Sequence, residues 1–194
     1  MLILRVQYRY CLLPFTPMLD YLKNLSLRQG CGWIALACIG ILAFGLYLQH
    51  GVGLEPCPMC IVQRYALILV AACALFCWAS GLIGGKKQAA NGGQKALSGL
   101  AAVFAAGGAF VAARQSFLQW YPPEVVSCGR DFYGMVETFP LKRAIPMIFK
   151  GSGDCSKVDW TFLGGSIANW SFVAFVGIGL VLVALMLRSR AGLR

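Results

Sequence analysis

Charge is scarce in this chain. Of its 194 residues, 12% are Asp, Glu, Lys or Arg, about half the share carried by a soluble globular domain. There are seven acidic residues and a single histidine. Residues 29–54, 65–85, 96–113 and 160–187 contain no Asp, Glu, Lys or Arg at all. Each run is near or above the ~20 apolar residues that cross a bilayer. The third is short unless it continues to Gln119 with Arg114 turned toward protein or water. These runs exclude an ordinary soluble domain. Also missing are a Walker phosphate loop, a dinucleotide-binding fingerprint and an HExxH helix, which removes the motif-based case for nucleotide or zinc-hydrolase chemistry. No internal repeat or low-complexity tract stands out. The lone His50, at the end of the first run, reads as an interface residue rather than a ligand.

The expected fold is all-α: an integral membrane four-helix bundle with one long periplasmic loop, forming a single domain over 1–194. The spans are predicted at about 33–49, 61–83, 97–119 and 167–187. Trp33 and Tyr47 mark the two ends of the first, as interface aromatics do. The formal net charge of +10 would point to nucleic acid in a soluble protein, but topology explains it here. With the N-terminus inside, the inner segments hold Arg5, Arg9, Lys23, Arg28, Lys86, Lys87, Lys95, Arg188, Arg190 and Arg194 against Asp20 alone. The 122–165 loop is balanced in charge. The positive-inside rule therefore places both termini in the cytoplasm, and 50–60 and 120–166 outside. No nucleic-acid partner is expected; the lipid bilayer is.

Residues 1–28 are irregular, with Arg5, Arg9 and Pro14 interrupting a partly apolar stretch, and Met18 is a candidate native start. Ala105, Ala106, Gly107, Gly108 and Ala109 would let the third helix approach its neighbours closely. The 122–165 loop is too short to bury a core of its own, and its apolar 139–149 stretch, with Lys142 and Arg143, is expected to lie on the membrane surface.

Cysteine is the feature that is present in quantity, with nine residues. Cys57-Pro58-Met59-Cys60 opens the second apolar run. Pro58 suits the first position of a helix, which makes Cys57 the N-cap and Cys60 the third helical residue. Both sulfurs then sit at the positive end of the helix dipole, which favours thiolate. Arg64, one turn beyond Cys60, adds a cation on the same face. Taken alone, a CxxC is divided between redox chemistry and half of a metal site.

Cys128 and Cys155 lie in the outer loop, on the oxidising side, where a disulfide between them would constrain the loop by ~3–4 kcal/mol in the chain-entropy model. Their spacing lacks the short interval of a zinc half-site. Two pairs of unequal rigidity suit a thiol–disulfide relay better, although a zinc-binding membrane protein is the competing non-enzymatic reading. Cys31, Cys38, Cys73 and Cys77 read as small apolar packing residues, and Cys11 as an inner thiol kept reduced. A lipid-soluble quinone is the natural two-electron acceptor for a pair at the membrane surface, an inference that composition alone does not supply.

With these residues in view, the chain resembles the DsbB family of bacterial disulfide-bond formation proteins. The resemblance rests on Cys57, Cys60 and Arg64 opening the second helix, Leu118-Gln119-Trp120-Tyr121-Pro122 closing the third, Cys128 in the loop, and Ser152-Gly153-Asp154-Cys155 ahead of Trp160 and Phe162-Leu163-Gly164. It covers roughly 27–187. It implies a multi-pass protein of the bacterial inner membrane that reoxidises a periplasmic DsbA-type thioredoxin-fold oxidase and passes electrons through Cys128–Cys155 and Cys57–Cys60 to ubiquinone or menaquinone.

In that scheme the partner's thiol attacks Cys128, the released Cys155 attacks Cys57, and Cys60 becomes a thiolate beside the quinone, held by Arg64. Some members carry a quinone-site His where this chain has Gln115, which makes Gln115 a cofactor-binding candidate, with Arg114 beside it. Gln63 stands where relatives often have an acid. No metal ligand is implied. A vitamin K epoxide reductase-like quinone reductase is a further alternative, but its CxxC follows the loop cysteines, whereas here it precedes them.

Overall fold

A computed structural model describes residues 25–54, 57–83, 92–122, 158 and 160–191. Cys11, Met18, the 139–149 stretch, Cys128 and Cys155 lie outside the described residues. Four long helices hold nearly all of these residues: α1 (Leu27–His50), α2 (Pro58–Ile83), α3 (Gly92–Trp120) and α4 (Ile167–Ala191). Each is long and apolar enough to cross a membrane. Consecutive helices pack on each other, α1 on α2, α2 on α3 and α3 on α4, with α1 and α4 in lighter contact. This is the four-helix bundle that the apolar runs predict.

The helix starts follow from local chemistry. Ser26 caps α1, and Gln29 returns a side-chain bond to the Ser26 backbone, forming a capping box. The helix therefore begins at Leu27, ahead of the Trp33 that hydropathy marks. At α4, the Ser166 hydroxyl accepts from the Asn169 amide, again an N-cap geometry. Just before it, β1 (Thr161–Phe162) pairs antiparallel with β2 (Gly165–Ser166). The two residues between the strands, Leu163 and Gly164, have φ of 50° and 79°. Positive φ at both central positions is what a two-residue hairpin of matching twist requires. Gly164 adopts it at little cost, whereas Leu163 is strained.

Large apolar side chains such as Leu36, Val103, Phe110 and Leu180 point outward, as expected where lipid takes the place of water. The interior is built from smaller ones. Cys31, Ala35 and Cys38 of α1, Val70, Ala74 and Cys77 of α2, and Ala101 and Ala105 of α3 are buried together with Phe175 and Leu182 of α4. Cys31, Cys38, Cys73 and Cys77 are thus packing residues. On α3 the small-residue stripe is narrower than the run of Ala and Gly implies. Ala101, Ala105, Gly108 and Ala112 face inward, whereas Ala106 and Gly107 face out, because a helix turns 100° per residue and buries only one side. At Gly108 a Cβ would overlap the ring of Phe175, so α4 can lie this close only against glycine.

Candidate functional site: a thiol pair beside an apolar cavity

Cys57 precedes α2 and its carbonyl accepts from the Ile61 amide at 3.2 Å. Its sulfur accepts from the backbone N–H of Cys60 at 3.4 Å, so a thiol fills the place usually taken by a Ser or Asp oxygen. One turn of helix brings the two sulfurs to 2.9 Å. Cys57 is buried and Cys60 half-buried. Met59 between them is fully buried and packs with Val111 and Leu118 of α3, which fixes the first turn of α2 against the end of α3.

That packing brings Gln115 of α3 over the sulfurs. Its side-chain amide donates to Cys57 Sγ and to Cys60 Sγ, each at 3.3 Å. Gln63 donates through Nε2 to Gln115 Oε1 at 2.7 Å, which decides which end of the Gln115 carboxamide faces the thiols.

Beside the pair lies a cavity of about 510 Å³, within the range of small-molecule sites. Its walls are mainly apolar, with Ile41, Phe44, Leu67, Trp160, Trp170 and Phe175 among them, and Cys57, Cys60, Gln63, Arg64 and Gln115 all open onto it. Arg64 donates through Nη1 to Gln49 Oε1 and through Nη2 to the Gly45 carbonyl at 3.2 Å. Both partners belong to α1. Its charge is thereby held in the cavity wall by hydrogen bonds to α1.

On the other side, Ser166 Oγ donates to Gln119 Oε1 at 2.6 Å, joining α3 to α4. Rings close the cavity toward the hairpin: Trp160 stacks on Phe162 with centroids 6.0 Å apart and meets Phe44 edge-on at 6.0 Å. The Trp170 indole donates to the Phe162 carbonyl at 2.9 Å. An apolar slot with a guanidinium and carboxamides on its walls suits a flat ring bearing carbonyl oxygens.

Of the residues singled out from sequence, Cys57, Cys60, Arg64 and Gln115 come together, while Cys128 and Cys155 lie outside the described residues. His50, the last residue of α1, is exposed, and Arg114 lies over the Phe117 ring at 5.6 Å. Sequence reading passed over Gln49 and Ser166 and gave Gln63 no task. All three act through partners 15 to 52 positions away, so no local signal marks them.

A bundle of membrane-length helices with a dithiol capping one of them and an apolar cavity beside it defines a membrane-embedded thiol–disulfide protein. The family model for disulfide bond formation protein DsbB matches residues 27–185. Proteins named Disulfide bond formation protein B are similar over most of the chain. That of Polaromonas naphthalenivorans (strain CJ2) is 68% identical over 161 residues, covering 83% of this chain and 92% of the relative. That of Albidiferax ferrireducens is 63% identical over 176 residues, or 91% and 96%. That of Azoarcus sp. (strain BH72) is 50% identical over 153 residues, or 79% and 88%. The chain belongs to the DsbB family and is a disulfide-forming oxidoreductase of the multi-pass membrane type.

Proposed function

We propose that this chain is a dithiol:quinone oxidoreductase of the bacterial inner membrane that reoxidises a periplasmic DsbA-type thioredoxin-fold oxidase. The observation that carries the reading is the contact of Cys57 Sγ and Cys60 Sγ at 2.9 Å on the wall of a cavity that also takes in Arg64. The cysteine end of the bundle is read as periplasmic from the excess of Lys and Arg at the opposite end.

The relay begins at the loop. The partner's thiolate attacks Cys128 of a Cys128–Cys155 disulfide, forming a mixed disulfide and releasing Cys155 as a thiolate. The partner's second thiol then closes its own disulfide and frees Cys128. Cys155 next attacks Cys57 of the Cys57–Cys60 disulfide and displaces Cys60 as a thiolate. Cys128 closes on Cys155, leaving Cys57 and Cys60 reduced. Each exchange moves two electrons inward and conserves the number of disulfides.

The helix dipole at the head of α2 and the Gln115 amide both support negative charge on sulfur at Cys60. A quinone held in the cavity supplies, when bound, the acceptor for two electrons and two protons that restores Cys57–Cys60. Arg64 places a fixed positive charge in the wall where that acceptor would sit.

The test is anaerobic mixing of the purified protein with a reduced thioredoxin-fold oxidase and ubiquinone, following quinone absorbance. Stoichiometric quinone loss that disappears in Cys60→Ser and in Cys128→Ser is the expected result. Loss that survives Cys128→Ser would make the loop pair structural, and no loss with the unaltered protein would overturn the reading. Stoichiometric zinc in the purified protein would then favour the non-enzymatic alternative.

A further inference from the structure

Gln63 and Gln115 are the two carboxamides buried against the thiol pair, 6% and 4% exposed. A carboxamide has a donor end and an acceptor end, and in isolation nothing decides which end faces a sulfur. Here the choice is made by a second carboxamide. Gln63 Nε2 occupies Gln115 Oε1 at 2.7 Å, so the Gln115 NH₂ is left facing Cys57 Sγ and Cys60 Sγ at 3.3 Å each. The Cys60 thiol also donates to Gln115 Oε1 at 3.8 Å, a longer bond than that from Gln63 and one that a thiolate, with no proton to give, no longer makes.

We propose that Gln63 is a positioning residue for disulfide exchange: it locks the Gln115 carboxamide with its donor end on the sulfurs, so that a thiolate formed at Cys60 meets a preset N–H. The physical basis is the preference of a charged sulfur for donors. A thiolate has no proton to give and gains from every N–H directed at it, whereas a neutral thiol gains little. The charge state of Gln63 and Gln115 is fixed at every pH, unlike that of a histidine or carboxylate, so the N–H is available across the working range.

The polar groups lining the cavity come from all four helices. Gln49 lines the cavity from α1, Arg64 from α2, Gln115 and Gln119 from α3, and Ser166 and Ser171 at and beyond the start of α4. Among the described lining residues, Arg64 is the charged one, and its hydrogen bonds to α1 are independent of Gln63.

This inference deepens the proposed function and rests on it only in taking Cys57 and Cys60 as the exchanging pair. Its test needs neither quinone nor partner protein, so a failed relay and a failed positioning role are separable. The reduced full-length protein in detergent is alkylated with iodoacetamide across a pH series, and modification at Cys60 is resolved by mass spectrometry. Gln63→Met removes the donor at similar volume and is expected to move the midpoint of the profile upward by about one pH unit, a roughly tenfold slower reaction at pH values below it. Gln115→Leu is expected to do the same, and the double variant no more than either.

Gln63→Leu, donor-free but differently shaped, must give the same midpoint as Gln63→Met. Agreement between them keeps the readout interpretable if one of the two folds poorly. An unmoved profile in Gln63→Met overturns the proposal. So does a Gln63→Met shift that persists in full on the Gln115→Leu background, since Gln63 would then act on the thiols by another route. Different midpoints for the Met and Leu variants would assign the effect to packing, with the same consequence.

Discussion

Arg64 and Gln49 are bound to each other across two helices, the guanidinium of α2 donating to the side-chain carbonyl of α1. The second donor of the same guanidinium takes the Gly45 carbonyl at 3.2 Å. A cation inside a membrane-spanning bundle is costly unless partnered, and here the partners also aim it into the cavity. Arg64→Ala should therefore weaken quinone turnover by about ten- to a hundredfold, in line with the loss of ~1.5–3 kcal/mol from a hydrogen-bonded charge. The loop disulfide should still form. Steady-state kinetics with varied quinone check this, and unchanged kinetics would remove Arg64 from the site.

Gln49→Leu gives a milder version of the same effect. It preserves the charge but deletes its oriented acceptor, so the KM for quinone should rise several-fold, on the order of the ~1 kcal/mol that such a bond contributes, with less change in kcat. A fall in kcat at constant KM would contradict it.

The α3–α4 seam depends on Gly108. Gly108→Ala should destabilise the bundle by roughly 1–3 kcal/mol, the usual cost of overpacking, because the added methyl overlaps the Phe175 ring. Combining it with Phe175→Leu should recover part of the loss. Thermal unfolding in detergent reads both, and additive losses in the double variant would show that the two side chains do not meet.

Ser166 serves two helices at once, capping α4 through the Asn169 amide and binding Gln119 of α3. Ser166→Ala should cost ~0.5–2 kcal/mol and increase hydrogen exchange at the Asn169 amide. If exchange at Asn169 stays as slow as before, the cap is not made by this hydroxyl.

Cys31, Cys38 and Cys73 are buried among aliphatic side chains. Replacing each with Ala should leave quinone turnover intact and lower stability by about 1 kcal/mol apiece, near the centre of measured substitution effects. Loss of turnover in any of them, with folding preserved, would mean that the core thiols take part in electron transfer.

The fold was legible because charge is so unevenly spread. Four charge-free runs become four helices, and Cys57-Pro58 marks the head of α2 because a proline that lacks an N–H fits nowhere better. What stayed hidden depends on tertiary contact. The start of α1 is set by Ser26 and Gln29, two polar residues ahead of the apolar run, which a hydropathy reading passes over. Ala106 and Gly107 look like packing residues by composition and turn out to face outward by helical phase.

At the site, Cys57, Cys60, Arg64 and Gln115 could be named from motif and resemblance. The duties of Gln63, Gln49 and Ser166 could not, since each is a common polar residue whose role exists only once a distant helix supplies its partner.

Cys57 and Cys60 are held on the same turn with sulfurs 2.9 Å apart. Well-oriented groups on a rigid frame react as though present at ~10⁵ M or more. When electrons leave the pair, Cys57 and Cys60 therefore close on each other at a local concentration that no soluble thiol can approach, so the site returns to its own disulfide rather than to a mixed one with an outside thiol.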